Sequence, residues 1–339
     1  MRRLQTAFVT GATGLLGANL VRELAGRGVR VKALARSRDK AERQLAGVAG
    51  VEIVVGDMRD VAAFAGALAG VDALFHTAAH FRDSYTGGDH GAALAAVNVD
   101  GARALLEAAY GAGVRTAVMT SSIAVLDGPR GGLIDETMTR RLEDADAYYA
   151  SKILADRVAV EAMAAHPDLD VSFVLPGWMH GPLDAGPTSA GQVTLDFLRR
   201  RLPGVAPGTF SVVDARDVAH AMAEAAIRGR RGERYLAAGR HMSMAELLAV
   251  YAQVTGLPAP TRKLPPALLL AIATVSEAVA RLTGRPVLLS LATVRLMLRE
   301  ADRTRFDPAK SGRELGLSFR PVAETLADEI AWLRAAGLA

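Results

Sequence analysis

The 339-residue chain contains no cysteine. That excludes disulfides, thiolate metal sites and cysteine nucleophiles, and it points to a reducing, cytoplasmic setting. Lysine is nearly as scarce, confined to Lys32, Lys40, Lys152, Lys263 and Lys310, so arginine carries most of the positive charge. Lysine and arginine together number 40 against 36 acids, a net charge of +4 spread along the chain. The densest basic runs, Arg199-Arg200-Arg201 and Arg228-Gly229-Arg230-Arg231, have no interleaved aromatics on which bases could stack, so no nucleic-acid partner is expected. A long apolar run is also missing. The longest, Ala267 to Val275, falls short of the roughly 20 residues that span a bilayer, and Leu4–Thr10 is too short for a signal peptide. The expectation is a soluble protein without a membrane partner. His80, Asp83 and His90 match no ligand spacing, and no metal is expected.

Half of the residues are hydrophobic, enough for a substantial core. Nearly continuous apolar runs at Ala7–Thr10, Val29–Arg36, Val51–Val55, Ala73–His76, Thr116–Ser121 and Val171–Leu175 read as strands covered on both faces. Between them lie alanine- and leucine-rich helical stretches, Leu15–Ala25, Val61–Leu68, Ala92–Tyr110 and Tyr148–Ala165. This alternation predicts an α/β fold, a Rossmann doubly wound parallel sheet. After Pro176 the rhythm breaks into a Gly- and Pro-rich stretch with one helix, Val193–Arg201. A mostly helical segment follows, with a short strand at Arg234–Ala237. The expected division is a dinucleotide-binding domain over 1–176, its sheet completed by parts of 205–240, and a smaller, mainly substrate-binding lobe over 177–339.

The segment Thr10-Gly11-Ala12-Thr13-Gly14-Leu15-Leu16-Gly17 joins the first strand to the first helix. Gly11 permits a tight turn, Gly14 lets the backbone approach a pyrophosphate, and Gly17 lets helix and strand pack closely. The first-turn N–H groups of the helix are left for the phosphates. The second strand runs into Arg36-Ser37-Arg38 with no acid before Asp39. An acid there would bind a ribose 2′-hydroxyl, whereas arginine accommodates a 2′-phosphate, so NADP(H) is expected over NAD(H). Asp57 and Met58 follow the third strand, where the carboxylate either reaches an adenine amino group or only forms a turn.

With these motifs in order, the chain resembles the extended short-chain dehydrogenase/reductases. The resemblance rests on the glycine spacing, Asp57, Phe75-His76-Thr77-Ala78-Ala79, Asn98, Thr120-Ser121-Ser122, Tyr148-x-x-x-Lys152, Pro176-Gly177 with Gly181-Pro182, and Val213–Ala219. Arg36, the form of Pro176–Pro182 and Asp135-Glu136-Thr137 bring it nearest to the dihydroflavonol-reductase-like and 3β-hydroxysteroid-dehydrogenase-like branch; the C-terminal tail is also similar to that of hopanoid-associated epimerases.

Tyr148 and Lys152 stand one helical turn apart and share a face. A free tyrosine titrates near pH 10, too high for acid–base work at neutrality, and a neighbouring ammonium is expected to lower that value. The resemblance implies that Tyr148 protonates a carbonyl oxygen as hydride arrives, that Lys152 also holds the nicotinamide ribose, and that Ser122 rather than Ser121 donates to the substrate oxygen. Tyr149 does not fit the spacing. The resemblance also places Thr77, Ala78, Ala79, Thr120, Pro176, Gly177 and Met179 beside the cofactor. Asn98 is placed there as well, as a helix-to-loop tether. His76 reads as a structural histidine. His80, Phe81, Trp178 and His180 are expected to line the substrate pocket, with specificity in the loop Arg82–Gly91 and in Gly177–Gly208, Pro265–Arg281 and Leu288–Leu298.

The expected activity is NADP(H)-dependent hydride transfer to or from an aldehyde, ketone or sterol-like carbonyl/alcohol, by a homodimer joined through a four-helix bundle of Ala92–Tyr110 and Tyr148–Ala165. The alternatives are a nucleotide-sugar epimerase with tightly held NAD(P), against which Arg36 counts, and a non-catalytic NADP-binding regulator, against which Tyr148 counts. Ser121-Ser122 in place of an Asp-Glu pair argues against a dehydratase.

Overall fold

The computed structural model describes residues 4–81, 90–283 and 291–339. The chain opens β1 (Thr6–Thr10), α1 (Leu15–Gly26), β2 (Arg30–Ala35), α2 (Arg38–Gln44), β3 (Val51–Val55) and β4 (Ala73–His76). Next come α3 (Gly91–Leu94), a π-helical stretch Ala95–Asp100, α4 (Gly101–Gly111), β5 (Thr116–Thr120), α5 (Ala147–Ala165), β6 (Asp170–Pro176) and β7 (Trp178–His180). The remainder is α6 (Ser189–Leu198), β8 (Thr209–Asp214), α7 (Ala215–Arg228), β9 (Arg234–Ala237), β10 (Arg240–Ser243), α8 (Met244–Thr255), α9 (Pro266–Thr283), α10 (Leu291–Arg299), α11 (Ala309–Leu315) and α12 (Val322–Ala335).

Seven parallel strands form the main sheet in the order β3-β2-β1-β4-β5-β6-β9. The order reverses between β1 and β4, which is where a doubly wound sheet opens a ligand crevice. Side chains alternate across this sheet as the pleat requires. Phe8, Leu74, Met119 and Phe173 enter one core with α4 and α5, whereas Val9, Phe75, Val118 and Val174 enter the other with α1 and α7. Both faces are covered, so the strands read as continuous apolar runs.

Two segments differ from expectation. Val61–Leu68 forms two short 3-10 turns, Val61–Ala63 and Ala65–Leu68, instead of one helix. It is too short to nucleate easily and carries Gly66. The C-terminal part also contains more strand than its composition suggested. β10, β8 and β7 make a second, three-stranded sheet, antiparallel at β10–β8 and parallel at β7–β8. α6, α8 and α12 pack on it around Phe197, Leu248, Tyr251 and Leu326. The small cluster Leu264, Leu269, Ala273 and Val294 holds α9 to α10.

The turn after β7 is stitched back to α1 and the residue that ends α2. Asn19 Nδ2 donates to Pro182 O (2.9 Å) and Gln44 Nε2 to Leu183 O (2.6 Å), with Leu183 held at φ 78°.

Candidate active site

At the sheet's switch point, Gly11 adopts φ +64°, and a Cβ there would lie 2.8 Å from Ala78 Cα and N. A Cβ on Gly17 would lie 2.1 Å from Gly11 O, so both glycines are demanded by the packing of protein against protein. Gly14 is different. It is exposed, and a Cβ would meet only Gly11 O at 3.4 Å, so this turn of backbone faces open space. Gly14 is also the N-cap of α1 and supplies no capping side chain. By contrast, Ser37, Asp146, Thr188, Asp214 and Ser243 cap α2, α5, α6, α7 and α8 with side-chain oxygens. An uncapped helix start on an unobstructed glycine turn fits a dinucleotide pyrophosphate, to be held by the N–H groups of Leu15, Leu16 and Gly17. Thr13 is partly exposed in the same turn, while the Leu15 and Leu16 side chains are buried.

Arg36 and Arg38 stand exposed at the end of β2 and the start of α2. Asp57 is held at about 2, chiefly by Arg59, which donates through Nη2 to Oδ2 at 2.7 Å, with Arg36 contributing. The Met58 side chain lies in the core with Phe64 and Leu68, which leaves only its main chain to offer a ligand.

At the carboxyl end of β5, Ser122 comes near Tyr148. The Ser122 hydroxyl accepts from Ala124 N (3.1 Å) and bears on the Tyr148 phenol. The Phe81 ring lies 4.9 Å from the Tyr148 ring. Lys152 is buried and its Nζ donates to Thr120 O at 3.0 Å. Burial lowers its pKa to about 8, against the pull of Asp156. Tyr148 runs opposite to the expected direction. Burial, reinforced by the charge of Asp146, raises the phenol above its ordinary value, and the Ser122 hydroxyl opposes that rise. Lys152, whose Nζ donates to Thr120 O, is not among the groups that shift the phenol, so the cost of desolvating a phenolate sets its direction.

The neighbouring residues separate clearly. Ser121 is buried and donates to Asp156 Oδ2 at 2.8 Å. Tyr149 lies between guanidinium groups, Arg140 at 5.0 Å and Arg299 at 5.7 Å from its ring centre. His76 is buried and neutral, pulled down to about 3 by desolvation and then by Lys152. Thr10 Oγ1 accepts from Thr77 N (3.1 Å) and Ala78 N (3.2 Å), so its own proton goes to His76 Nδ1 at 2.8 Å. Ala79 is exposed beyond them. Asn98 Oδ1 accepts from His80 N (2.7 Å), and its Nδ2 donates to His80 O and Ser151 Oγ. Both amide protons are used within the protein, so Asn98 is a tether for the loop after β4. The remainder of that loop, Asp83 included, lies outside the described residues.

On the lobe side, Gly177 is wedged between Ser211 O and Ala238 O, where a Cβ would lie 2.4 and 2.5 Å away, giving it a packing role at the junction of the two sheets. It follows Pro176, which is buried at the end of β6. Trp178 is half-buried, its ring 4.8 Å from Phe210 and its Nε1 donating to Ser189 Oγ; Met179 packs on the α1 side of the main sheet. His180 corrects the sequence reading. Its side chain is fully buried, with Nδ1 2.9 Å from Glu329 Oε2, in a network where Thr194 Oγ1 reaches Glu329 Oε1 and Tyr251. A side chain enclosed by α6, α8 and α12 does not line an open pocket. Asp156, Arg234, Arg140 and Glu329 were not singled out from the sequence; only the i,i+4 spacing of Lys152 and Asp156 signalled a pairing.

Comparison with known proteins agrees with this architecture. The chain belongs to the NAD dependent epimerase/dehydratase family, matched over residues 7–238, and is an enzyme of the extended short-chain dehydrogenase/reductase class. It is 38% identical to sterol demethylase protein B of Methylococcus capsulatus, over 98% of this chain and 99% of that one. It is 35% identical to a putative dihydroflavonol 4-reductase of Synechocystis, over 96% and 94%. The solved structure of gox2253 superposes with a TM-score of 0.82 at 33% identity, over 98% of this chain and 99% of that one. Among the described residues no helix is long and apolar enough to cross a membrane, and no group of acids and histidines could hold a metal ion.

Proposed function

We propose that this enzyme is an NADP(H)-dependent reductase or dehydrogenase acting on an apolar carbonyl or alcohol. The carrying observation is the convergence of Ser122, Tyr148 and Lys152 at the carboxyl ends of β5 and α5's first turns, with Ser121 and Tyr149 committed elsewhere. When bound, the reduced cofactor supplies hydride. Ser122 and Tyr148 hold the substrate oxygen, where negative charge develops, and Tyr148 delivers the proton. Lys152 keeps a positive charge beside that proton donor and orients the ribose.

Arg36, exposed at the end of β2, supports the 2′-phosphate and hence NADP(H). Phe81 beside Tyr148, with Trp178 and Phe210 in tilted ring contact on the lobe side, favours a hydrophobic substrate over a sugar nucleotide. The test is NADPH oxidation against a panel of apolar aldehydes, ketones and ketosteroids, with wild type and Arg36→Asp. Wild type turns over with NADPH, and Arg36→Asp loses at least about tenfold of its NADPH-over-NADH preference, roughly 1.4 kcal/mol. Cofactor that co-purifies, resists consumption and supports interconversion of nucleotide sugars would make the chain an epimerase instead.

A further inference from the structure

Two buried polar groups, Asp156 and Ser121, meet the half-buried Arg234 one turn beyond Lys152. Asp156 is 4% exposed and shares the Lys152 face of α5. Its Oδ2 accepts the Ser121 proton at 2.8 Å from the end of β5 and lies 3.5 Å from Arg234 Nη2 on β9. A carboxylate in such a place carries a large desolvation cost, and an apolar residue of similar size would fill the space at less expense. Its position therefore calls for an electrostatic reason. Around Lys152, the groups that bear on its charge are Thr120 O from β5, His76 from β4, held neutral, and Tyr148 and Asp156 from α5. Asp156 alone among them is an anion.

We propose that Asp156 is the positioning residue that keeps Lys152 an ammonium, anchored for that task by Ser121 and Arg234. The proposal rests on the reading of Tyr148 and Lys152 given above. Burial draws Lys152 down to about 8, and Asp156 opposes that fall. Without the anion Lys152 would lose its proton within the neutral range, and with it the positive end of the catalytic pair. Asp156 is itself raised to about 6 by burial, with Arg234, Ser121 and Lys152 pulling the other way, so it is ionised at neutral pH.

Asp156→Asn preserves the size and the acceptor for Ser121 but removes the charge. The readout is the pH dependence of NADPH affinity, measured by fluorescence titration, beside that of kcat/KM. In Asp156→Asn the alkaline limb of both profiles moves to lower pH by about one unit or more, at a melting temperature near wild type. Asp156→Glu restores part of the shift. If Asp156→Asn does not fold, Asp156→Ser, smaller and also uncharged, replaces it and the limb moves in the same direction. A folded Asp156→Asn or Asp156→Ser with an unmoved limb overturns the proposal. Lys152→Met separates the two claims, because wild-type turnover and NADPH affinity in that variant would sink the reading of the catalytic pair itself.

Discussion

Ser121 donates its hydroxyl proton to Asp156 at 2.8 Å, while Ser122, the next residue, bears on the Tyr148 phenol. Adjacent serines of the same strand end thus serve opposite ends of the site, one within the core and one at the reacting oxygen. Their alanine variants are expected to separate accordingly. Ser121→Ala leaves a buried carboxylate without its hydroxyl donor and costs about 1–3 kcal/mol of stability. Ser122→Ala folds near normally but loses roughly 10²-fold in turnover. Urea unfolding and steady-state kinetics on the pair decide this; a Ser121→Ala protein that is stable yet inactive would reverse the assignment.

The two glycines of the first turn make a second contrast. A Cβ on Gly17 would sit 2.1 Å from the Gly11 carbonyl oxygen, whereas one on Gly14 would meet only that oxygen at 3.4 Å. Gly17→Ala is therefore expected to destabilise the fold by about 1–3 kcal/mol or more. Gly14→Ala should melt near the wild-type temperature and bind dinucleotide more weakly. Thermal melts with NADPH titrations test both, and undiminished affinity in Gly14→Ala would remove the pyrophosphate from this turn.

Much of this was legible in the residues. Strands such as Phe8-Val9 and Leu74-Phe75 announce themselves because both sheet faces are covered, and the glycine turn and the Tyr148–Lys152 spacing are local signals. What escaped depends on distant partners. β8 and β10 are short and find each other only across α7 and β9. Asp156 looks like an ordinary helical acid until β9 brings Arg234 to it from 78 residues away. His180 follows a strand end, which suggested a pocket wall, but Glu329, 149 residues later, takes it into the lobe. The direction of the Tyr148 shift was also hidden, because spacing reveals the neighbouring lysine but not the burial and the Asp146 charge that set the direction.

That enclosed pair gives a third expectation. Glu329 is 1% exposed and accepts from both His180 and Thr194. Glu329→Ala strands those donors and should cost about 3–5 kcal/mol in urea unfolding. His180→Ala should act the same way, through stability. A His180→Ala enzyme of wild-type stability with an altered KM would return His180 to the substrate pocket.

The account depends most on Tyr148 as the proton donor, and a paired measurement on Tyr148→Phe tests it most directly. The substitution removes only the hydroxyl that Ser122 engages. NADPH affinity by fluorescence titration should stay close to wild type, while kcat on any carbonyl substrate of the enzyme falls by roughly 10²–10⁴-fold. A Tyr148→Phe enzyme that binds NADPH and still turns over at the wild-type rate would contradict the account.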